Sequence, residues 1–342
     1  MTQRSRPRSY AGILAGAAAA SSAAYLLRRA EARRETLAER IDEVTGCAIC
    51  ALGVPAESRY LPLNDIWLHA VVAGPEDGPL IVLLHGFPEC WHSWSKHIKP
   101  LAEAGYRVVV PDQRGYNLSD KPPDVSSYRL DTLASDIREL IRAMGKERAT
   151  IVGHDWGGWV AWVFAMQYRD VVDKLIVMNA PHPAIFAREL RDNPDQRRRS
   201  WYMFFFQMPW LPEVLLGLSP ARSAQFFFRN TAVRKTAFSD ADLEVMACAL
   251  AQPDAPKTMI HWYRAGFRYR PAQRHQVIEA PTLVVWGEDD LALGKSLTYG
   301  LEKWAPNARV HYIPNCGHWV QNEAADEVRA QMLEFLRQTA AT

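Results

Sequence analysis

Cysteine is scarce and scattered, with five residues in 342, at positions 47, 50, 90, 248 and 316. That is too few for a disulfide framework in a chain of this length, so reduced thiols are expected. Cys47 and Cys50 have ligand-like spacing in C-A-I-C, but no second pair and no histidine cluster completes a zinc site. No redox-type βαβ pattern surrounds them either. No basic stripe interleaved with aromatics occurs, which removes the electrostatic case for nucleic-acid binding. Internal repeats are absent, and low complexity is confined to one alanine-rich stretch near the start. Neither a metal nor a cofactor is expected.

Charge is also short on one side. The chain is formally +2, but residues 1–34 hold seven arginines against one glutamate, which leaves the remaining chain at −4. Within that basic leader, residues 11–27 (A-G-I-L-A-G-A-A-A-A-S-S-A-A-Y-L-L) are uncharged. The stretch is slightly shorter than the roughly 20 residues that span a bilayer, and alanine dominates it. It reads as a signal anchor, an interfacial helix, a removable leader or a soluble extension. Membrane association through residues 11–27 and a cytoplasmic placement both stay open. From Glu31 to about Val44 a charged helix leads into the body.

The body alternates short apolar runs with helical patterns. Residues 80–84 (L-I-V-L-L), 107–110 (R-V-V-V), 149–152 (A-T-I-V), 174–178 (K-L-I-V-M) and 282–286 (T-L-V-V-W) suit strands buried on both faces. Residues 66–72 and 309–313 add two more. Leu130, Leu133, Ile137, Leu140, Ile141 and Met144 recur at helical spacing, as do Val320, Val328, Met332, Phe335 and Leu336. The pattern predicts an α/β fold with a mostly parallel, doubly wound sheet. Residues 181–278 differ: they are rich in Trp, Phe, Tyr, Met and Pro, read as helical and lack buried-strand runs. The expected organisation is a leader over 1–44, a core over 45–180 and 279–342, and an inserted helical lid over 181–278.

Chemistry collects at the strand ends. I-V-G-H-D-W-G-G (151–158) follows a strand and precedes a helix, the nucleophile-elbow pattern with Asp155 in the nucleophile's place. H-G-F-P-E-C-W (85–91) follows another buried strand, where this fold places half an oxyanion hole. The backbone N–H groups of Phe87 and Trp156 are the candidate donors. W-G-E-D-D (286–290) and N-C-G-H-W (315–319) supply an acid and a histidine in the order nucleophile, acid, histidine. His318 is the candidate base. Asp290 is preferred to Asp289 as its partner, because the acid loop needs a few residues to turn. Ordinary alternatives exist: aspartate is a common helix N-cap, and histidines are often merely buried. His85 and His154 read as structural hydrogen-bonders.

These segments, together with D-Q-R-G-Y (112–116), Y-M-F-F-F-Q-M-P-W-L-P (202–212) and H-W-Y-R (261–264), resemble the α/β-hydrolase epoxide hydrolases from about Asp65 onward. The nearest likeness is to the group with a short N-terminal anchoring segment, although this leader is more alanine-rich and less apolar. The resemblance implies Asp155 as nucleophile, Asp290 and His318 as charge-relay pair, and Tyr202 and Tyr263 as donors to the epoxide oxygen. It also implies a cis Phe87–Pro88 peptide.

The residue types agree with that chemistry. A carboxylate attacking an ester would give a reactive anhydride, but at sp³ carbon it gives a stable alkyl ester. With an ordinary pKa near 3.9 it needs no base to ionise, which leaves histidine free for the hydrolytic step. An opening epoxide develops an alkoxide that needs an acid, and phenols with pKa near 10 suit that task. The expected partners are a small apolar epoxide and water. A haloalkane dehalogenase is the alternative enzyme, but Phe87 stands where its second halide donor is usual. A non-catalytic hydrolase-like binding protein is the remaining alternative. The lid aromatics fit an apolar substrate channel or simply the lid's own core.

Overall fold

The chain was analysed as a computed structural model, which describes residues 28, 31–272 and 276–338. The candidate anchor segment 11–27 lies outside the described residues, and among them no helix is long and apolar enough to cross a membrane.

Eight strands form one sheet: β1 (Ala56–Leu63), β2 (Ile66–Ala73), β3 (Leu80–Leu84), β4 (Arg107–Pro111), β5 (Ala149–His154), β6 (Val172–Met178), β7 (Thr282–Gly287) and β8 (Ala308–Ile313). Their order is β1-β2-β4-β3-β5-β6-β7-β8. β2 pairs antiparallel with both β1 and β4, and the pairs from β4 to β8 are parallel. β3, β4 and β5 are buried throughout, as their continuous apolar runs require when helices cover both faces.

The covering helices of the core are α1 (Ile41–Cys50), α2 (Ser95–Glu103), α3 (Leu130–Ala143) and α4 (Trp156–Gln167), with α12 (Val320–Glu323) and α13 (Ala325–Gln338) at the end. α3 buries Leu130, Leu133, Ile137, Leu140 and Ile141, the residues that recur at helical spacing. α4 is buried almost all round, because it sits under the middle of the sheet with the lid above its first turn. The C-terminal pattern is split in two, since Ala324 leaves helical geometry at φ −123°, ψ 40°.

Between β6 and β7 the chain is helical: α5 (Pro183–Asp192), α6 (Pro194–Arg199), α7 (Trp201–Phe205), α8 (Leu211–Gly217), α9 (Pro220–Ala224), α10 (Asp240–Ala251) and α11 (Ala255–Arg268). A π-helical turn spans Gln225–Asn230. α10 begins with a capping box, Ser239 and Asp242 satisfying each other's backbone N–H groups. The N-terminal helical segment, residues 31–39, joins this layer rather than standing apart. Arg34 donates to the carbonyls of Ala251 and Gln252 at 3.1 and 3.0 Å, and Arg40 pairs with Glu244 at 2.7 Å. α1 straddles residue 44, where the sequence pattern ends the leader.

Tight packing fixes the turn from β5 into α4. A Cβ on Gly153 would lie 2.3 Å from the Gly157 carbonyl oxygen, and a Cβ on Gly157 would lie 2.3 Å from that of Leu84. Both are backbone contacts, so neither can be relieved by a rotamer change. Gly157→Ala should therefore push α4 away from β3, lowering stability by roughly 1–3 kcal/mol. A denaturation midpoint unchanged from wild type would contradict this packing.

Candidate active site

Four loops at the carboxyl ends of β3, β5, β7 and β8 converge, as expected of a parallel sheet. Register aligns them, Leu84 lying opposite Gly153 and Gly287 opposite Ile313. Asp155 follows β5 with φ at +49°, a conformation uncommon for a residue with a Cβ. Gly86 permits it, because a Cβ there would lie 2.5 Å from that of Asp155.

The Asp155 carboxylate accepts a hydrogen bond on Oδ1 from the Phe87 N–H at 2.8 Å, and the Trp156 N–H also donates to the group. Its Oδ2 faces His318 Nε2 at 3.7 Å. On its other side His318 Nδ1 lies 2.7 Å from Asp290 Oδ2. Asp290 is buried and fully engaged, accepting also from Asn179 Nδ2 at 2.8 Å and from the N–H groups of Ala292 and Leu293. Asp289 is exposed. Of the adjacent aspartates, Asp290 is the one beside the imidazole.

Burial raises the Asp155 carboxyl above its usual range, opposed by His318, His154 and the two backbone donors. For His318 burial acts downward, but Asp290 and then Asp155 outweigh it, and the imidazole is raised to about 9. Asp290 is depressed, because His318 and Asn179 overcome the burial that would raise it. The site thus sets an imidazole that holds its proton to about 9 between the carboxyl groups of Asp290 and Asp155.

Tyr202, on α7, and Tyr263, on α11, bring their rings within 5.9 Å of each other above Asp155. Burial raises both phenols, and the Asp155 charge raises them further, so both stay protonated. Two cavities, of about 450 and 360 Å³, share Asp155, Tyr202 and Tyr263 as lining. The larger extends past Trp156, Trp159, Phe186 and Phe267, and the smaller past Phe206, Phe227, His318 and Trp319. A still larger hollow of about 760 Å³, between residues 31–38 and the lid, touches none of the candidate residues. The Phe87–Pro88 peptide is cis.

Three residues that the motifs did not single out hold these loops in place. Buried Glu89 accepts from the Gly86 N–H at 2.7 Å and from Gln321 at 2.9 Å, and contacts His154 Nδ1 at 2.8 Å. The other nitrogen of His154 meets the His318 carbonyl at 2.8 Å, so Glu89 and His154 link the oxyanion loop to the histidine loop. His85 Nε2 accepts from the Gln113 N–H at 3.0 Å. Glu323 gathers the N–H groups of Gly317, Trp319, Val233 and Arg234, joining the histidine loop to the lid. Asn179, with φ +39°, links β6 to Gly287 and to Asp290. Glu89 sits inside H-G-F-P-E-C-W, and that is the only signal the sequence offered for any of them.

Residues 79–325 match the family model for the alpha/beta hydrolase fold. The chain is 40% identical to AB hydrolase superfamily protein YfhM of Bacillus subtilis, over 82% of this chain and 97% of that protein. It is 39% identical to Epoxide hydrolase 1 of Caenorhabditis elegans, over 82% of this chain and 70% of that one. Among solved structures, a Bacillus megaterium epoxide hydrolase in complex with an inhibitor superposes with a TM-score of 0.76 at 31% identity, covering 82% of this chain and all of that one. A variant of the same protein, complexed with a naphthyloxy-propanediol product, gives a TM-score of 0.75.

Because Asp155 is one of the three carboxylates that raise His318, Asp155→Asn should lower the imidazole's titration midpoint below about 9. The sign follows from removing an anion that favours the protonated ring. An NMR titration of the His318 ring that leaves the midpoint unmoved would show that Asp155 takes no part in setting it.

Proposed function

The chain belongs to the α/β-hydrolase fold family, among its epoxide hydrolases, and we propose that it converts apolar epoxides to vicinal diols through an alkyl ester on Asp155. The observation that carries this reading is the sharing of both cavities' lining by one carboxylate and two phenols, with no positioned base needed for the first step.

Oδ1 of Asp155 is already held by the Phe87 N–H, and the Trp156 N–H also donates to the carboxyl group, so Oδ2, which faces His318, is the nucleophile. As Oδ2 bonds to an epoxide carbon, the ring C–O bond breaks and its electron pair leaves as an alkoxide. Tyr202 and Tyr263 hydrogen-bond to that oxygen, and one donates its proton. The attack consumes the carboxylate charge, one of the causes that raise both phenols, so they become better acids as the acid is needed.

Hydrolysis of the ester uses the same change. With Asp155 alkylated, one of the three carboxylates that hold His318 protonated loses its charge, and the imidazolium passes its proton to the tyrosinate left by ring opening, restoring the phenol. Neutral His318 Nε2 then takes a proton from water, whose oxygen attacks Cγ. The oxyanion forms on Oδ1, where the Phe87 N–H is already in place, with the Trp156 N–H beside the same group. Collapse breaks Cγ–Oδ2, the diol oxygen takes the proton of the imidazolium, and the carboxylic acid left on Asp155 gives its proton to the imidazole, which regenerates both the carboxylate and the imidazolium.

The mostly aromatic walls of both cavities support an apolar substrate whose two sides extend past the phenols in different directions. A halide leaving group would have no use for two phenols, and Phe87 supplies no side-chain donor.

In His318→Gln, ring opening should proceed while ester hydrolysis stalls, so intact-protein mass should rise by that of one epoxide. A folded variant that gains no such mass during incubation with styrene oxide would overturn the two-step reading. Tyr202→Phe and Tyr263→Phe should each slow single-turnover ester formation on the order of 10²-fold, and the double variant should lose nearly all of it. Near wild-type ring opening in the double variant would remove the tyrosines from the reaction.

A further inference from the structure

The lid carries an apolar face that its own packing does not use. Trp201 and Trp210 are 65% and 68% exposed, and Phe204, Leu215 and Phe226 are each more than half exposed. They fall on or beside two consecutive lid helices and the π-helical turn, over residues 201–226. Trp201, Phe226 and exposed Leu291 line the smaller site cavity, while Phe226 and Leu215 line a separate groove of about 360 Å³. Phe204 rests on Phe267, which lines the larger cavity, at 5.4 Å between ring centroids. Both cavities that hold Asp155 therefore reach the edge of this face. Exposed large apolar side chains gathered in one part of the lid mark an interaction surface.

Charge indicates what covers it. Residues 183–272 hold thirteen arginines and lysines against eight carboxylates, an excess of five cations. The rest of the body, from residue 35 onward, has nine more carboxylates than cations. Exposed arginines border the apolar face: Arg222 lines the groove, Arg270 lines the larger cavity, and Arg268 follows Phe267. Exposed tryptophan with arginine around an apolar face is the composition of a surface that lies among lipid headgroups. A second copy is disfavoured, because pairing through this face would bring two basic lids together. The helical segment at residues 31–39 reaches the same layer, Glu31 and Arg34 lining a hollow with Val214 and Leu218. The uncharged stretch 11–27 precedes it in sequence.

We propose that this face of the lid docks on an anionic lipid surface, and that both cavities then open toward the acyl layer. Delivery of an apolar epoxide from that layer rests on the reaction proposed above, whereas docking itself does not.

Partition of the full-length protein onto sedimented vesicles, measured without substrate, separates the two. The vesicles are phosphatidylcholine alone or phosphatidylcholine with phosphatidylglycerol. Phe204→Ser/Trp210→Asn/Leu215→Ser removes apolar contact at residues that line neither site cavity, with Asn chosen because Trp210 has φ +53°. At roughly tenfold per apolar side chain, its partition should fall at least about a hundredfold, with turnover of dissolved styrene oxide unchanged. Arg222→Glu/Arg268→Glu should weaken binding to the phosphatidylglycerol vesicles by about tenfold without altering the melting temperature, as added salt should for wild type. Equal partition of the triple variant and wild type overturns the proposal, since another segment would then hold the protein. So does absence of wild-type binding. A wild-type dimer in lipid-free buffer that the triple variant converts to monomer would assign the face to a second copy instead. An enzyme inactive on epoxides that still partitions would overturn the reaction and leave the docking intact.

Discussion

The site depends on keeping one carboxylate charged where burial opposes it. Moving a carboxylate out of water is expensive unless hydrogen bonds or an opposite charge replace its hydration. Asp155 receives both: N–H groups from Phe87 and Trp156, and the imidazolium of His318 across 3.7 Å. None of these partners is available without a strained turn. The φ of +49° aims the side chain out of the sheet, and the bare Cα of Gly86 lets the oxyanion loop come within hydrogen-bonding reach. Glycine at 86, 153 and 157 is thus an electrostatic requirement as much as a steric one.

Placing the donors accurately then falls to carboxylates outside the candidate set. Burial alone would raise Glu89, but His154 and the Gly86 N–H hold it below its usual range, so it is charged and fully bonded. Glu323 does comparable work with four backbone N–H groups drawn from the histidine loop and the lid. A buried anion that accepts several backbone donors is costly to displace, because each donor would be left unsatisfied. The loops carrying Phe87 and His318 are therefore pinned to each other and to the lid by charge, where glycine-rich loops alone would be loose.

Much of this was legible in the sequence. Seven of the eight strands announce themselves as apolar runs, and their observed ends lie within two residues of the runs. β1 does not, because A-E-S-R-Y-L-P-L forms an edge strand that pairs with β2 alone and stays largely exposed. The antiparallel start of the sheet was lost with it. Asp155, Asp290 and His318 could be named because each follows a strand in a motif with its own spacing. Asn179 and Glu323 could not: each works through backbone groups distant in sequence, and only the folded register brings them there. The lid is the converse case. Its aromatic richness suggested a channel or a core, and the structure shows both, with Phe228 and Trp262 wholly buried and others along the cavity walls. Among the rings left facing solvent, Trp201 and Phe226 still edge the smaller cavity, whereas Phe204 and Trp210 line neither cavity.

An acidic core beneath a basic lid also bears on the chemistry. Asp155, Asp290 and Glu89 place three carboxylates around one imidazole, and all three raise His318. Such a cluster favours a cation at its centre and makes the histidine a poor base until a charge is removed. In the proposed reaction the first chemical step removes that charge, converting Asp155 from an anion to a neutral ester. The base is thereby withheld until there is an ester for water to attack. Serine at the elbow would lack this coupling, since a neutral hydroxyl needs its histidine deprotonated from the start. In that proposed reaction, aspartate changes the chemistry open to the fold and, through its own charge, also sets the order in which the other groups act.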